Sequence, residues 1–232
     1  LRLLRRIFNF AVEKGWLKIE GNPFAGRRVR LLKEPRLPLP ELTPEQEALL
    51  LKVCDNHPSL VHLKPQIIFA LDTGCRKGEM FGLRWKDVDF EHDVIRIHRK
   101  KTETTPNAFA VLPMTTRLRD ELTKLPRNGE YVFASLRGGD KTRDNKKGWT
   151  RLLKLTNEKL AEVGIPELKL RWHDLRHIAG SRLAASLPIS IVAYQLGHTQ
   201  LTTTQRYVHP LADYIDGVRA VFTRHADRAA KA

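Results

Sequence analysis

The sequence predicts an α+β fold, mostly α-helical with one small antiparallel β-sheet. Three observations carry this. Apolar residues recur at helical spacing through most segments of the 232-residue chain. Two short stretches, 93–99 and 108–112, alternate apolar and polar residues instead, with a polar turn at 100–107 between them. Hydrophobic residues make up 41% of the chain, enough to build a core rather than leave it disordered.

The elements follow in order. Leu1, Leu4, Phe8, Ala11 and Val12 share one helical face, and Gly15 and then Gly21-Asn22-Pro23 stop that helix. Its arginine-rich start has the look of a targeting peptide but lacks serine and runs on through Glu13 and Lys14. Residues 1–22 are therefore expected to be the last helix of a truncated domain. Residues 23–40 hold four prolines among many cations, which predicts an extended basic linker. A second domain is expected over 41–210, with a helical tail over 211–232. It opens on Thr43-Pro44-Glu45-Gln46, an N-cap, a proline at the first helical position and a glutamine at the capping-box position. That helix is expected to reach about Cys54. Others are expected at Leu63 to Asp72 and Lys77 to Leu83. From Leu118 onward most segments look helical, with a short strand at Tyr131-Val132-Phe133. Leu83, Trp85, Val88, Tyr131 and Tyr194 are expected in the core.

Charge narrows the function. Lys and Arg number 41 against 26 acids, a net charge of +15, which favours a polyanionic partner. The longest apolar run, Ile67 to Leu71, is far too short to span a bilayer. Cys54 and Cys75 form no Cys-x-x-Cys pair, so neither a zinc site nor a disulfide framework is indicated. The chain has no P-loop and no acidic metal cluster. His173 and His177 are spaced like two zinc ligands, but Asp174 stands where a metalloprotease helix carries glutamate, and Arg176 sits beside the would-be metal.

The last third holds His173-Asp174-Leu175-Arg176-His177, then Leu196-Gly197-His198, then Tyr207. His173 and Arg176 lie one turn apart and share a helical face. Thr73-Gly74-Cys75-Arg76-Lys77-Gly78-Glu79 sets a second arginine at a glycine-flanked helix start, with Glu79 placed to hold it. Arginine suits a phosphate clamp, because its planar fork reaches two oxygens and keeps its proton. A phenol with a pKa of ~10 needs a base and cationic surroundings to attack at neutral pH.

These motifs, with Leu83-Arg84-Trp85 and Thr202-Thr203-Thr204-Gln205-Arg206-Tyr207, resemble the tyrosine recombinases, the phage-integrase family. The resemblance spans about residues 41–210. It implies the catalytic fold of DNA breaking-rejoining enzymes, with 1–22 the end of a core-binding domain. It implies a site-specific recombinase that cuts and rejoins DNA through a 3′-phosphotyrosyl link, in service of a prophage or integrative element. Tyr207 would be the nucleophile, Arg76 and Arg176 the clamp. His173 would help move the tyrosine proton, and His198 would donate to a phosphate oxygen. The family's lysine comes from the hairpin turn and protonates the leaving 5′-oxygen. Lys100 and Lys101 compete for that role, and Lys101-Thr102 matches the family's Lys-Thr pair, which leaves Lys100 for the DNA backbone. Glu79 and His177 would support the site. No metal or cofactor is expected.

Tyr214 is the rival nucleophile. Lys141, Arg143, Lys146, Lys147, Arg151 and Lys154 could track DNA phosphates. Leu211, Ile215, Val218 and Phe222 form an apolar stripe over 211–222 that would pack either on its own domain or on a neighbouring subunit. The resemblance implies a homotetramer on two synapsed double-stranded attachment sites, possible accessory DNA-bending proteins, and a bacterial, nucleoid-associated, cytoplasmic protein with no membrane partner. Competing readings are a DNA-binding module without catalysis and a type IB topoisomerase.

Overall fold

The computed structural model describes residues 2–17, 22–24, 38–99, 109–135, 138–141, 144–198 and 200–207. Lys100, Lys101, Arg143, Tyr214, the hairpin turn, most of the linker and the tail stripe at 211–222 lie outside the described residues. The chain divides into two compact units, Leu1–Pro38 and Leu39–Ala232.

In the first unit, α1 (Arg2–Glu13) ends in a Schellman motif. Trp16 N–H donates to the Ala11 carbonyl at 2.9 Å and Gly15 N–H to that of Val12 at 3.0 Å. The chain then folds back on the helix. The Asn22 amide donates to the Arg5 carbonyl (2.8 Å) and to Asn9 Oδ1 (2.7 Å), and Phe24 packs edge-on against Phe8.

The second unit is the expected mixture of helices around a small antiparallel sheet. α2 (Pro44–Asn56) starts on a reciprocal capping box: Gln46 N–H donates to Thr43 Oγ1 at 3.2 Å and Thr43 N–H to Gln46 Oε1 at 3.0 Å. α3 (Leu63–Thr73) is buried on nearly every side, so it shows no single stripe. Leu63, Ile67, Ala70 and Leu71 join one apolar cluster with α2, α6 (Lys146–Glu162) and the start of α7 (Asp174–Ala184). Ile68 and Phe69 join a second cluster with α4 (Lys77–Phe81), the sheet and α5 (Thr116–Thr123).

The sheet runs β1 (Val88–Asp89), β2 (Val94–His98) and β3 (Phe109–Pro113), antiparallel throughout. Ile95 faces Leu112 and Ile97 faces Ala110, all turned inward, while Arg96, His98, Phe109 and Val111 face out. This is the alternation the sequence showed.

Two expectations need correction. Tyr131 makes only a bridge to Arg84, Val132 and Phe133 sit in a turn, and the short strand β4 is at Ala134–Ser135, paired with β5 (Gly138–Lys141). Three bulky residues suggested a strand, but pairing stops after one bridge, where Trp85 N–H donates to the Glu130 carbonyl and Val132 N–H to that of Leu83, both at 3.0 Å, and the chain then turns. Tyr194 is 45% exposed rather than core, and Tyr131 is only partly buried. Leu83 and Val88 are buried as expected, with Trp85 at the margin.

Two devices fix the helices that carry the site. Glu47, buried on α2, accepts from Arg117 of α5 and from Arg182 of α7, both at 2.6 Å, and Arg117 also grips Asp72 of α3. The segment before α7 is pinned to α6. Asn157 exchanges two hydrogen bonds with the Leu168 backbone, and Trp149 Nε1 donates to the Leu170 carbonyl at 3.1 Å. Among the described residues no helix is long and apolar enough to cross a membrane.

Leu152 is fully buried in the first cluster. Leu152→Ala should destabilise the chain by about 2–5 kcal/mol, read from the urea midpoint at unchanged slope. A loss under ~1 kcal/mol would mean that this cluster relaxes around cavities.

Candidate active site

The site is built where α8 (Ile189–Leu196) ends. Gly197 adopts φ +67°, the left-handed turn glycine accommodates without steric cost, and closes a Schellman motif. His198 N–H donates to the Ala193 carbonyl at 2.9 Å, and Gly197 N–H to that of Tyr194 at 3.0 Å. The next three carbonyls each accept from a different arginine. Arg99 Nη2 donates to Gln195 at 2.9 Å, Arg176 Nη2 donates to Leu196, and Arg76 Nη2 donates to Gly197 at 3.2 Å. A helix C-terminus is the negative end of its dipole and leaves carbonyls without partners, so it can gather cations that would otherwise repel.

Each arginine is delivered by a different element. α3 ends at Gly74, also left-handed, whose carbonyl accepts from Arg176 Nη1 at 2.7 Å. The chain turns directly into Arg76, the N-cap of α4. Glu79, one turn on, holds Arg76 twice: its carboxylate accepts the backbone N–H at 2.9 Å and Nη1 at 2.8 Å. Arg176 lies in the first turn of α7 and is 4% exposed; Arg99 follows β2 and is 3% exposed. The Arg76 side chain is 36% exposed, the open member of the set.

Tyr207 closes the site from a single turn of 3₁₀ helix (Gln205–Tyr207), after the short helix α9 (Leu201–Thr204). Its ring lies on the backbone of α7. A Cβ on Gly180 would come within 2.8 Å of Tyr207 Cζ. The hydroxyl is 2.8 Å from His177 Nδ1, and the ring stacks with His198 at 6.3 Å between centroids. His198 Nδ1 meets Thr204 Oγ1 at 2.8 Å. His173 stands edge-on to His177, centroids 5.0 Å apart.

The electrostatics follow from burial and mutual repulsion. Burial, then Arg76, pulls Arg176 down to about 10, which leaves it charged at neutral pH. Burial also lowers Arg99. Burial and neighbouring cations push His198 and His177 down to about 4, and lower His173 as well. The histidines are therefore neutral at pH 7 beside permanent cations. Burial raises the Tyr207 phenol, and Arg176 and Arg206 partly offset that. A protonated phenol donates, so Nδ1 of neutral His177 accepts and its ring proton sits on Nε2.

Arg76, Glu79, His173, Arg176, His177, His198 and Tyr207 are thus brought together. The Tyr207 hydroxyl meets His177, not His173. Lys146, Lys147, Arg151 and Lys154 stand exposed on α6, whose start is tied to α4 through the Lys77–Asp144 ion pair. Sequence reasoning missed Arg99. Its signal was the strand alternation, which puts Ile95, Ile97 and Arg99 on one inward face. Cys54 and Cys75 are free, buried, and pushed up to about 12 by burial, so neither is a nucleophile.

Cationic donors around one point, beside a positioned phenol, can hold an anion for covalent attack. Comparison with known proteins gives the family. The profile of the phage integrase family matches residues 40–213, and the chain belongs to that family of tyrosine recombinases. It is 26% identical to the XerC-like tyrosine recombinase of Caldanaerobacter subterraneus subsp. tengcongensis, over 89% of this chain and 60% of that protein. It is 26% identical to the integrase of Salmonella phage P22, over 86% of this chain and 50% of that one. The chain thus spans about half to three-fifths of these relatives. The Tn1549 transposon integrase, solved with circular intermediate DNA, has the same fold at TM-score 0.72 and 24% identity, covering 96% of this chain and 77% of that one.

The neutral histidines make stability depend on pH. Unfolded, each titrates near ~6.5; folded, His177 and His198 titrate at about 4. The unfolded chain therefore binds more protons between these values, and stability falls as pH drops through that window. Urea midpoints at pH 7 and pH 5 should show the fall, with a shallower one in His177→Asn. Equal slopes in both proteins would mean that His177 is not held neutral by the fold.

Proposed function

We propose that this chain is the catalytic part of a site-specific DNA recombinase, which cuts and rejoins DNA through a 3′-phosphotyrosyl intermediate for a prophage or integrative element. The observation that carries the reading is the convergence of Arg76 and Arg176 on the end of α8, beside the hydroxyl of Tyr207. Family membership supports it.

Arg76 and Arg176 hold the non-bridging oxygens of the scissile phosphate and stabilise the charge that builds on them. His198 has Nδ1 engaged by Thr204, which leaves Nε2 to donate to the same phosphate. Tyr207 Oη attacks phosphorus, and the bond to the 5′-oxygen breaks. The phenol proton passes to His177, with His173 beyond it to carry the proton away. The leaving 5′-oxygen takes a proton from Lys101, or from Lys100 beside it. The covalent link conserves the bond, so a 5′-hydroxyl from a partner strand can reverse the steps and reseal.

The substrate is double-stranded DNA at an attachment site, with Lys146, Lys147, Arg151, Lys154 and Arg143 along its backbone. Recombination joins two duplexes, which fits a homotetramer, its subunits linked through 211–222 and assisted by DNA-bending proteins. The place of action is the bacterial cytoplasm, at the nucleoid.

Incubating the chain with a nicked suicide substrate bearing a candidate attachment site should give a protein–DNA adduct on a denaturing gel. Tyr207→Phe should abolish it. An adduct that survives this substitution would overturn the assignment of the nucleophile and move it first to Tyr214. Gly180→Ala puts a methyl against the ring that Tyr207 lays on α7. Adduct formation should slow by about 100-fold, since small displacements of a nucleophile cost that much. An unchanged rate would mean that the ring moves before it attacks.

A further inference from the structure

We infer that Arg99 is a positioning residue for strand cleavage, acting through Gly197 and His198 at the end of α8. The inference rests on the recombinase reading and adds a residue to it.

Four observations place Arg99 in this role. Its guanidinium is buried between the sheet and α8, at 3% exposure, and burial lowers its pKa. Its Nη2 donates to the Gln195 carbonyl, adjacent to the carbonyls that Arg176 and Arg76 hold. Gly197 lies flat against it. A Cβ there would come within 2.7 Å of Arg99 Cζ and 2.8 Å of Nε, so glycine serves this contact as well as its left-handed turn. The guanidinium also lies 5.8 Å from the centre of the Tyr194 ring, which covers it on the outer side.

A buried cation beside two others is an expensive way to fill space, and an apolar side chain would do so at lower cost. What arginine supplies is a rigid planar donor. It fixes the peptide from Gln195 to Gly197, and through it two groups of the site: the Gly197 carbonyl that orients Arg76, and the ring of His198 that follows. Lysine could supply charge there but not the fork or the flat face.

The test is single-turnover cleavage of the suicide substrate at saturating DNA, with DNA affinity and the urea midpoint measured separately. Arg99→Met should cleave about 100-fold slower and Arg99→Lys about 10-fold slower, with affinity within about threefold of the parent chain. Because Arg99 acts partly through His198, adding Arg99→Met to His198→Ala should cost less than it does alone, the remainder running through the Gly197 carbonyl and Arg76. The lysine variant keeps the test open if the methionine variant fails to fold. The inference is overturned if both variants cleave within about threefold of the parent, if only affinity changes, or if the losses multiply with that of His198→Ala. Tyr207→Phe separates this from failure of the recombinase reading. Without a Tyr207-dependent adduct in the parent chain, the reading itself falls; with one, the cleavage rates of the variants bear on Arg99 alone.

Discussion

The end of α8 is the constraint on which the site depends. Three arginines from β2, α4 and α7 meet three successive carbonyls there. In water three such cations would stay apart. Here the helix dipole, the carbonyls and the Glu79 carboxylate offset their repulsion: burial lowers both sealed arginines most, Glu79 outweighs Arg76 at Arg99, and only at Arg176 does the lowering by Arg76 exceed what Glu79 returns. The unrelieved part is what an anion relieves. In the proposed reaction a phosphate entering beside Arg76 would meet donors already aimed, so little reorganisation would remain when charge develops.

Burial first, and nearby arginines after it, set the state of the histidines around the site. Together with burial the arginines keep His198 neutral, and neighbouring cations do the same for His177. A neutral imidazole can accept the tyrosine proton, whereas an imidazolium could not. Yet at about 4 His177 is a weak base, and burial makes the phenol a weaker acid. With Tyr207 only 3% exposed, its hydrogen bond to His177 describes a phenol at rest. In the proposed reaction the proton moves as the bond to phosphorus forms, when the product phosphate ester no longer needs it and negative charge has arrived to steady an imidazolium.

Much of this was legible in the residues because local rules and global packing agree. Thr43 to Gln46 form the capping box their spacing promised, and β2 and β3 pair in the register their alternation demands. The motif residues Arg76, His173, Arg176, His198 and Tyr207, far apart in sequence, lie together around the end of α8. What was not legible depends on three dimensions. Tyr131 to Phe133 have strand composition, but their pairing is decided by the turn that follows. Tyr194 is apolar enough for a core, yet it lies at the surface between Arg99 and β3, where its hydroxyl accepts from Val111 N–H. That the Tyr207 hydroxyl meets His177 and not His173 depends on how its ring is laid against α7, which spacing alone does not resolve.

Burial divides the arginines by task. Arg176 and Arg99 are sealed, so their geometry is set before any ligand arrives, whereas Arg76 opens to solvent and Glu79 holds its fork from behind. In the proposed clamp an anion therefore meets Arg76 first and Arg176 behind it. The backbone that carries this field is short: Thr73 to Arg76 on one side and Gln195 to His198 on the other, with glycine at the left-handed turn of each. Leu196 would clash with a side chain at Gly74, and Arg99 with one at Gly197. The two turns are thus joined by Leu196 packing on Gly74 and by Arg76 reaching the Gly197 carbonyl, and any change that parts them would separate the proposed clamp from the phenol.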